Sequence, residues 1–383
     1  MHIFLSAGEP SGDLHASHLA LALQNQEPTV RLSGLGGKRL AATNCEVLFP
    51  LADHAIMGIW PAIRNLPFFV RILKLVDDWL RRQRPDLVIL IDNPGFNWHV
   101  ARLARKQSIP VWYYIPPQLW AWGAWRIRKM RRLVHRVLSG LPFEAAWYRR
   151  RGIRAEYIGH PYCDALQAQS QDVCFLEHQR ERGGIVVGLL PGSRQHEVSQ
   201  NFPTLLRLAD ILAQHRPDLR FLVACYQEQH VRWIADYVSG AGHLRFPFEI
   251  HVGRTAEIIQ LARVCAAVSG SVTLELLYHA RPSVVLYRIS PLARCLKPLL
   301  LKCRYITLVN LLADQEIFPE FVTVTCPADQ LAHSLLTWIN DASAWQRCHD
   351  QLLQLRQQFF QPGASARAAA MILSYLSTRA QAA

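Results

Sequence analysis

The sequence predicts an α/β protein of two doubly wound, Rossmann-like domains facing across a cleft. Three observations carry this. Short apolar runs alternate with longer amphipathic stretches, the alternation restarts in the second half, and the runs end in turns rich in glycine, serine and charge. Apolar runs without in–out alternation suit strands buried on both faces of a parallel sheet. Helical stretches between such strands make βαβ units.

In chain order, Ile3 to Ala7, Leu87 to Ile91 and Val111 to Ile115 are the first predicted strands, with helices over Leu14 to Leu23 and Phe69 to Arg82. The pattern begins again at Ile185 to Leu190 and continues through Phe221 to Ala224, Ala266 to Ser269 and Ser283 to Tyr287. An Ala-rich helix is expected over Ala364 to Leu376. The seam falls at Gly159-His160-Pro161 and the polar stretch from Gln167 to Gly184, which divides the chain into residues 1–165 and 166–360.

Composition narrows the class without fixing it. Half of the 383 residues are hydrophobic and 19% are charged, which excludes a disordered chain. A net charge of +13 favours acidic partners. The nine cysteines are scattered and form no C-x-x-C pair, so buried free thiols in a reducing compartment are expected. The apolar run from Met1 to Gly8 is short for a signal peptide and has no basic lead. No stretch approaches the roughly 20 apolar residues of a membrane-spanning helix, so any membrane contact is expected to be peripheral.

Four strand-to-helix turns can carry chemistry, because α/β folds bind ligands at the carboxyl ends of their strands. The first is Ala7-Gly8-Glu9-Pro10-Ser11-Gly12-Asp13, where Gly8 and Gly12 permit a tight turn and close ligand approach. It lacks the third glycine of a dinucleotide fingerprint and the Lys-Ser/Thr of a Walker loop. An ordinary turn with a carboxylate at a helix start is the other reading. In the second, Asp92 follows five apolar residues and leads into Asn93-Pro94-Gly95-Phe96-Asn97. It reads either as a proton acceptor for a hydroxyl nucleophile or as a turn or helix cap.

The third turn is Leu190-Pro191-Gly192-Ser193-Arg194, followed by Glu197. Its N–H groups, the Ser193 hydroxyl and the Arg194 guanidinium suit a diphosphate, and a solvated loop is the alternative. The fourth is Ser269-Gly270-Ser271-Val272-Thr273-Leu274-Glu275. Its start also suits phosphate. Glu275 sits one helical turn past Ser271, where it can bond ribose hydroxyls or complete a cap. No D-x-D closes a strand and no cluster has metal-ligand spacing. His15 and His18, three apart, read as ordinary surface or core histidines. No cofactor and no metal are expected.

Two basic-apolar stretches suit an anionic membrane surface or a core-facing helix with a solvated basic side. Trp60 to Arg82 includes Leu66, Phe68, Phe69 and Ile72 beside Arg64, Arg71 and Lys74. Leu292 to Tyr305 includes Leu296, Leu299, Leu300 and Leu301 beside Arg294, Lys297, Lys302 and Arg304. The run Trp120-Ala121-Trp122-Gly123-Ala124-Trp125-Arg126-Ile127-Arg128-Lys129 can stack bases, pack an acyl chain or line a domain interface.

In order and spacing, these turns resemble the lipid-A-disaccharide synthase family from about residue 2 to 375. Further matching stretches are Met57-Gly58, Trp120-Ala121-Trp122, Leu141-Pro142-Phe143-Glu144, Gly159-His160-Pro161 with Asp164, Asn310-Leu311-Leu312-Ala313 and Pro319-Glu320. The resemblance implies an inverting GT-B glycosyltransferase whose last helix, about 361–383, packs back on the first domain. It implies UDP-2,3-diacylglucosamine as donor, 2,3-diacylglucosamine 1-phosphate (lipid X) as acceptor, and a β(1→6)-linked disaccharide 1-phosphate plus UDP as products.

It further implies Asp92 as general base, with Glu9, Ser11, Gly12 and Asn97 on the acceptor side. Ser193 and Arg194 would hold the diphosphate, with Ser269, Gly270 and Ser271 beside it. Glu275 would hold the ribose, and Asn310 would line the nucleotide. The protein would work in the cytoplasm on the anionic inner face of the cytoplasmic membrane, with no nucleic acid as partner and a homo-oligomer left open. The chain departs from the family at Gly95, where a second acid is usual, and at Val309, where proline is usual. Phe321 to Val324 lacks an expected glutamine, and Pro116-Pro117-Gln118-Leu119 replaces a serine-containing run. Competing expectations are another UDP-sugar enzyme of the same fold, such as a 2-epimerase, and a non-catalytic lipid-binding relative.

Overall fold

The computed structural model describes residues 1–54, 66–241, 246–289 and 303–381. Met57-Gly58, the Trp60 to Arg64 part of the first basic stretch, residues 292–302 of the second and Cys295 lie outside the described residues. The chain forms two compact units, Met1–Gln167 with Gln361–Ala383, and Ala168–Phe360.

The first unit holds a seven-stranded parallel sheet: β1 (His2–Ala7), β2 (Arg31–Leu35), β3 (Cys45–Phe49), β4 (Leu87–Ile91), β5 (Val111–Tyr114), β6 (Arg136–Ser139) and β7 (Ala155–Tyr157). The order β3-β2-β1-β4-β5-β6-β7 reverses direction between β1 and β4, whose ends pair Ala7 with Ile91. All five residues of β4 are buried, because helices cover both faces of the sheet. Those helices are α1 (Pro10–Gln26), α2 (Lys38–Ala41), α3 (Leu66–Gln83), α4 (Pro94–Lys106), α5 (Ile127–Leu133), α6 (Pro142–Arg149) and α7 (Pro161–Gln167).

The second unit repeats the plan with six parallel strands: β8 (Ile185–Leu190), β9 (Leu219–Cys225), β10 (Phe248–Val252), β11 (Val264–Val268), β12 (Ser283–Arg288) and β13 (Glu320–Thr323). Their order is β10-β9-β8-β11-β12-β13, with the reversal between β8 and β11. Its described helices are α8 (Val173–Glu181), α9 (Gln195–His215), α10 (Glu228–Ala241), α11 (Thr255–Leu261), α12 (Val272–Tyr278), α13 (Leu308–Ala313), α14 (Ala328–Asn340) and α15 (Ala342–Phe359). The last helix, α16 (Ala364–Gln381), belongs to the first unit.

Two features bring α16 home. Ala368, Ala369, Ile372 and Leu376 share a core cluster with Ala16, Leu19, Ala20 and Leu23 of α1, and small alanines let helix axes approach closely. Asp164 satisfies the start of α16 by accepting from Gly363 N at 2.7 Å, Ala364 N at 3.4 Å and Ser365 N at 3.2 Å.

Helix α3 corrects the expected membrane residues. Ile72, Val76 and Leu80 repeat every four residues and face the core, so Ile72 is only 3% exposed. Phe68 and Phe69 are partly buried against that core, with Phe68 on Phe49 and Phe69 on Phe96. The exposed apolar side chains are Leu66 at 59%, Val70 at 43% and Leu75 at 39%. Arg71 and Lys74 stand exposed among them. The cysteine expectation also changes: Cys45, Cys163, Cys225, Cys265 and Cys348 are buried, but Cys174 and Cys326 are exposed.

Candidate active site

All four chemically suggestive turns fall at the two points where strand order reverses. The Glu9 turn follows β1 and the Asp92 turn follows β4; the Ser193–Arg194 turn follows β8 and the Ser269–Ser271 turn follows β11. Adjacent strands leaving in opposite topological directions open a crevice at their carboxyl ends, where α/β proteins place ligands.

In the first unit, Asp92 and Asn93 both have positive φ, 48° and 39°. Two successive non-glycine residues in the left-handed region are costly and must be held by their surroundings. Tyr113 OH donates to Asp92 O at 2.7 Å, and Asn97 Nδ2 donates to Asp92 O at 2.8 Å and Ile91 O at 3.1 Å. Ser6 Oγ fixes the amide by donating to Asn97 Oδ1 at 2.7 Å. Asn97 is 1% exposed, and its amide is spent holding the turn. The structure therefore places it behind Asp92, supporting the turn, instead of in the position of a substrate-contacting side chain.

This backbone turn leaves Asp92 half-buried at the strand end. Ser11 Oγ, at the start of α1, donates to Asp92 Oδ2 at 3.4 Å. Burial raises the Asp92 pKa, opposed by the Asn93 N–H and by Ser11. A raised pKa makes the ionised carboxylate a stronger base, the property a proton acceptor needs.

The β1 turn packs tightly against Asp92's neighbour. A Cβ on Gly8 would lie 2.1 Å from Asn93 Nδ2, so a larger residue there would push the Asn93 side chain aside. Gly12 is buried beside the end of β4, with Ile91 O 3.5 Å from the position of a Cβ. Glu9 is half-buried at the N-cap of α1, where its carbonyl accepts from Asp13 N at 2.8 Å and its side chain does not cap the helix. Asp13, not singled out from sequence, is a structural acid. It accepts from Gly37 N at 2.6 Å, Arg39 N at 3.0 Å and Leu40 N at 3.2 Å.

In the second unit, Gly192 turns the chain at φ 121° and leaves Ser193 and Arg194 exposed. Their N–H groups donate to Glu197 Oε2 at 3.0 and 3.2 Å, and Arg194 Nη1 lies 3.2 Å from Glu197 Oε1. The groups expected to meet a diphosphate thus carry an internal carboxylate. Gly270 and Ser271 are exposed after β11; Ser269 and Glu275 are half-buried. Ser271 makes no side-chain cap, which removes one structural role for its hydroxyl.

Asn310 is placed otherwise than expected. It is fully buried; its Oδ1 accepts from Ile317 N and Phe318 N, both at 2.9 Å, and its Nδ2 donates to Phe318 O at 2.7 Å and Glu320 Oε1 at 2.8 Å. No amide position is left for a nucleotide. Glu320 also accepts from Ile306 N and Thr307 N, so the pair knits the 306–320 loop together. The Trp120 indole donates to buried Glu144 at 2.9 Å. Burial pushes the Glu144 pKa up to about 8, against hydrogen bonds from Ser139 and Trp120. Among the described residues, no group of three His, Cys, Asp or Glu side chains is arranged to hold a metal ion.

Two parallel α/β units with ligand-type turns at both reversals define a protein of the GT-B class, and solved structures agree on that fold. A putative UDP-N-acetylglucosamine 2-epimerase from Listeria monocytogenes superimposes with a TM-score of 0.68 at 13% identity, covering 98% of this chain and 97% of its own. MurG of Acinetobacter baumannii gives 0.57 at 15% identity, covering 97% and 99%. The relationship in sequence is more specific. A family model described as lipid-A-disaccharide synthetase matches residues 3–373. A lipid-A-disaccharide synthase from Syntrophus aciditrophicus is 33% identical over 377 residues, 98% of this chain and 97% of the relative. One from Histophilus somni is 34% identical over 362 residues, 94% and 92% respectively. The chain belongs to the lipid-A-disaccharide synthase family, and it is a glycosyltransferase of lipid A disaccharide synthesis.

Proposed function

We propose that the enzyme transfers 2,3-diacylglucosamine from UDP-2,3-diacylglucosamine to the 6-hydroxyl of 2,3-diacylglucosamine 1-phosphate, giving the β(1→6) disaccharide 1-phosphate and UDP. The observation that carries this reading is Asp92, a carboxyl with a raised pKa on a strained, braced turn at a strand reversal. As base it removes the hydroxyl proton while the oxygen attacks the donor anomeric carbon from the side opposite UDP. Glu9 lies on the paired strand's turn and is the second carboxylate for the acceptor. Purified protein incubated with both lipids, scored for UDP and disaccharide, tests the reading. UDP release without disaccharide, or no reaction, would refute it.

On the donor side, Arg194 and Ser193 take the diphosphate, the start of α12 assists, and Glu275 takes the ribose. The Arg194–Glu197 pair is half-exposed, so giving it up costs at most about 1 kcal/mol. A charge-assisted contact to phosphate contributes about 1.5–3 kcal/mol. Arg194→Ala is therefore expected to weaken UDP binding about tenfold or more by calorimetry. Unchanged affinity would remove Arg194 from the donor site.

No helix among the described residues is long and apolar enough to cross a membrane. In this reading, α3 instead meets the anionic inner face of the cytoplasmic membrane through Leu66, Val70 and Leu75, with Arg71 and Lys74 at the headgroups. Changing the three apolar residues to serine is expected to reduce binding to phosphatidylglycerol vesicles while leaving the melting temperature within a few degrees of the parent. Phe68→Ser should instead lower stability, because that ring packs on the core. Full vesicle binding by the triple variant would assign the membrane contact elsewhere.

A further inference from the structure

One cation on the loop after β5, the strand paired with β4, has no carboxylate partner among the described residues. Arg126 lies just before α5, its guanidinium 3.9 Å from the centre of the Trp122 ring. Its Nε is sealed from solvent and has no hydrogen-bond partner, and Nη2 reaches only Trp122 O, at 3.5 Å. No carboxylate among the described residues pairs with it. Burial lowers the Arg126 pKa, the cost of holding a partly dehydrated cation.

It lies on the loop that leaves the carboxyl end of β5, where Tyr114 pairs with Ile91 at the end of β4. Burial raises the Tyr113 phenol pKa, and Arg126 is close enough to oppose that shift. It acts in the same direction on Tyr148. Tyr113 is the residue whose hydroxyl holds Asp92 O at 2.7 Å. Gly123, at φ 72°, folds the Trp122–Arg126 loop back so that indole and guanidinium stack. A Cβ on Gly123 would lie 2.6 Å from the guanidinium nitrogens Nε and Nη2. Trp122 remains 52% exposed, leaving the stacked pair open to a ligand. With Nε sealed, the terminal Nη1 and Nη2 groups of the stacked guanidinium are the ones that can meet a phosphate.

We infer that Arg126 and the Trp122 ring form a subsite for a sugar phosphate monoester at the same strand-end edge of the sheet as the Asp92 turn. This rests on the reading that the first unit takes a phosphorylated acceptor, and it identifies the residues that recognise the phosphate. The anion supplies the missing counter-charge, and the indole shields the pair from water.

The test titrates glucosamine 1-phosphate and glucosamine into the full chain, followed by calorimetry, for the parent, Arg126→Gln and Arg126→Lys. The parent is expected to prefer the phosphorylated sugar by about tenfold to a hundredfold. Arg126→Gln should abolish the preference and Arg126→Lys should keep part of it, with UDP affinity unchanged in both. A preference retained in Arg126→Gln would overturn the proposal. So would a variant that loses binding only to phosphatidylglycerol vesicles, which would make Arg126 a headgroup contact. If Arg126→Gln fails to fold, Arg126→Lys carries the test, and a parent-like preference there overturns the bidentate subsite. Sugar phosphate binding that depends on Arg126, without disaccharide formation by the parent, would leave the subsite standing and refute the proposed reaction.

Discussion

Asp92→Asn is expected to lower kcat by about 10²–10⁴-fold while UDP binding survives. Asparagine keeps the shape and the Ser11 contact but removes the basic oxygen. The pH dependence gives a second readout. Burial raises the Asp92 pKa, so the acid limb of kcat/KM should lie above the usual aspartate range and vanish in the variant's residual activity. The stability sign is opposite to that of a salt-bridged acid. A carboxyl whose pKa is raised on folding favours the fold at low pH, and this contribution fades as pH rises through the folded pKa. Asp92→Asn buries no charge and should be at least as stable as the parent at neutral pH, which separates lost chemistry from lost fold. Gly95 sharpens the result, because no acid stands at that neighbouring position to substitute. Near-normal turnover here, with a large loss in Glu9→Gln, would move the base to Glu9.

Asn310→Ala should act on stability. Truncation removes the acceptor of two buried N–H groups, Ile317 and Phe318, and a donor to Glu320. Each buried group left without a partner costs about 1–3 kcal/mol, so a loss on the order of 3–5 kcal/mol is expected. The measurement is the denaturant midpoint, with UDP affinity taken on the folded fraction. A variant that folds normally but binds UDP poorly would return Asn310 to the nucleotide site. The same reasoning distinguishes Asn97 from Asp92: Asn97→Ala should release the strained turn and cost both stability and turnover.

The sequence reached the strands that are buried on both faces, because their apolar runs are uninterrupted; Leu87 to Ile91 is the clearest. It did not reach β2, β3, β6, β7, β10 and β13. Those runs are only three to five residues long, and some carry polar or charged residues such as Glu46 and Glu249, so propensity alone does not distinguish them from loops. Val111 to Ile115 ends one residue early, at Tyr114, where Ile115 turns to φ 54°.

What the sequence by itself determined is the alternation of buried strand and helix, the four ligand-type turns and the family. These rest on local pattern and on motif order along the chain. Only the tertiary structure decided that each pair of turns meets at a strand reversal, because sheet order depends on how distant strands pair. Only it separated the two roles that polar motif residues share. Asp92 is half-buried at a strand reversal with its carboxylate met by Ser11 Oγ, whereas Asn97 and Asn310 spend their amides on buried backbone groups. The same holds along α3, where Ile72 and Val70 look alike in sequence but fall on opposite faces of the helix. The physical reason is common to all three: a side chain's letter fixes what it can bond, and its packing fixes what remains free to bond a substrate or a membrane.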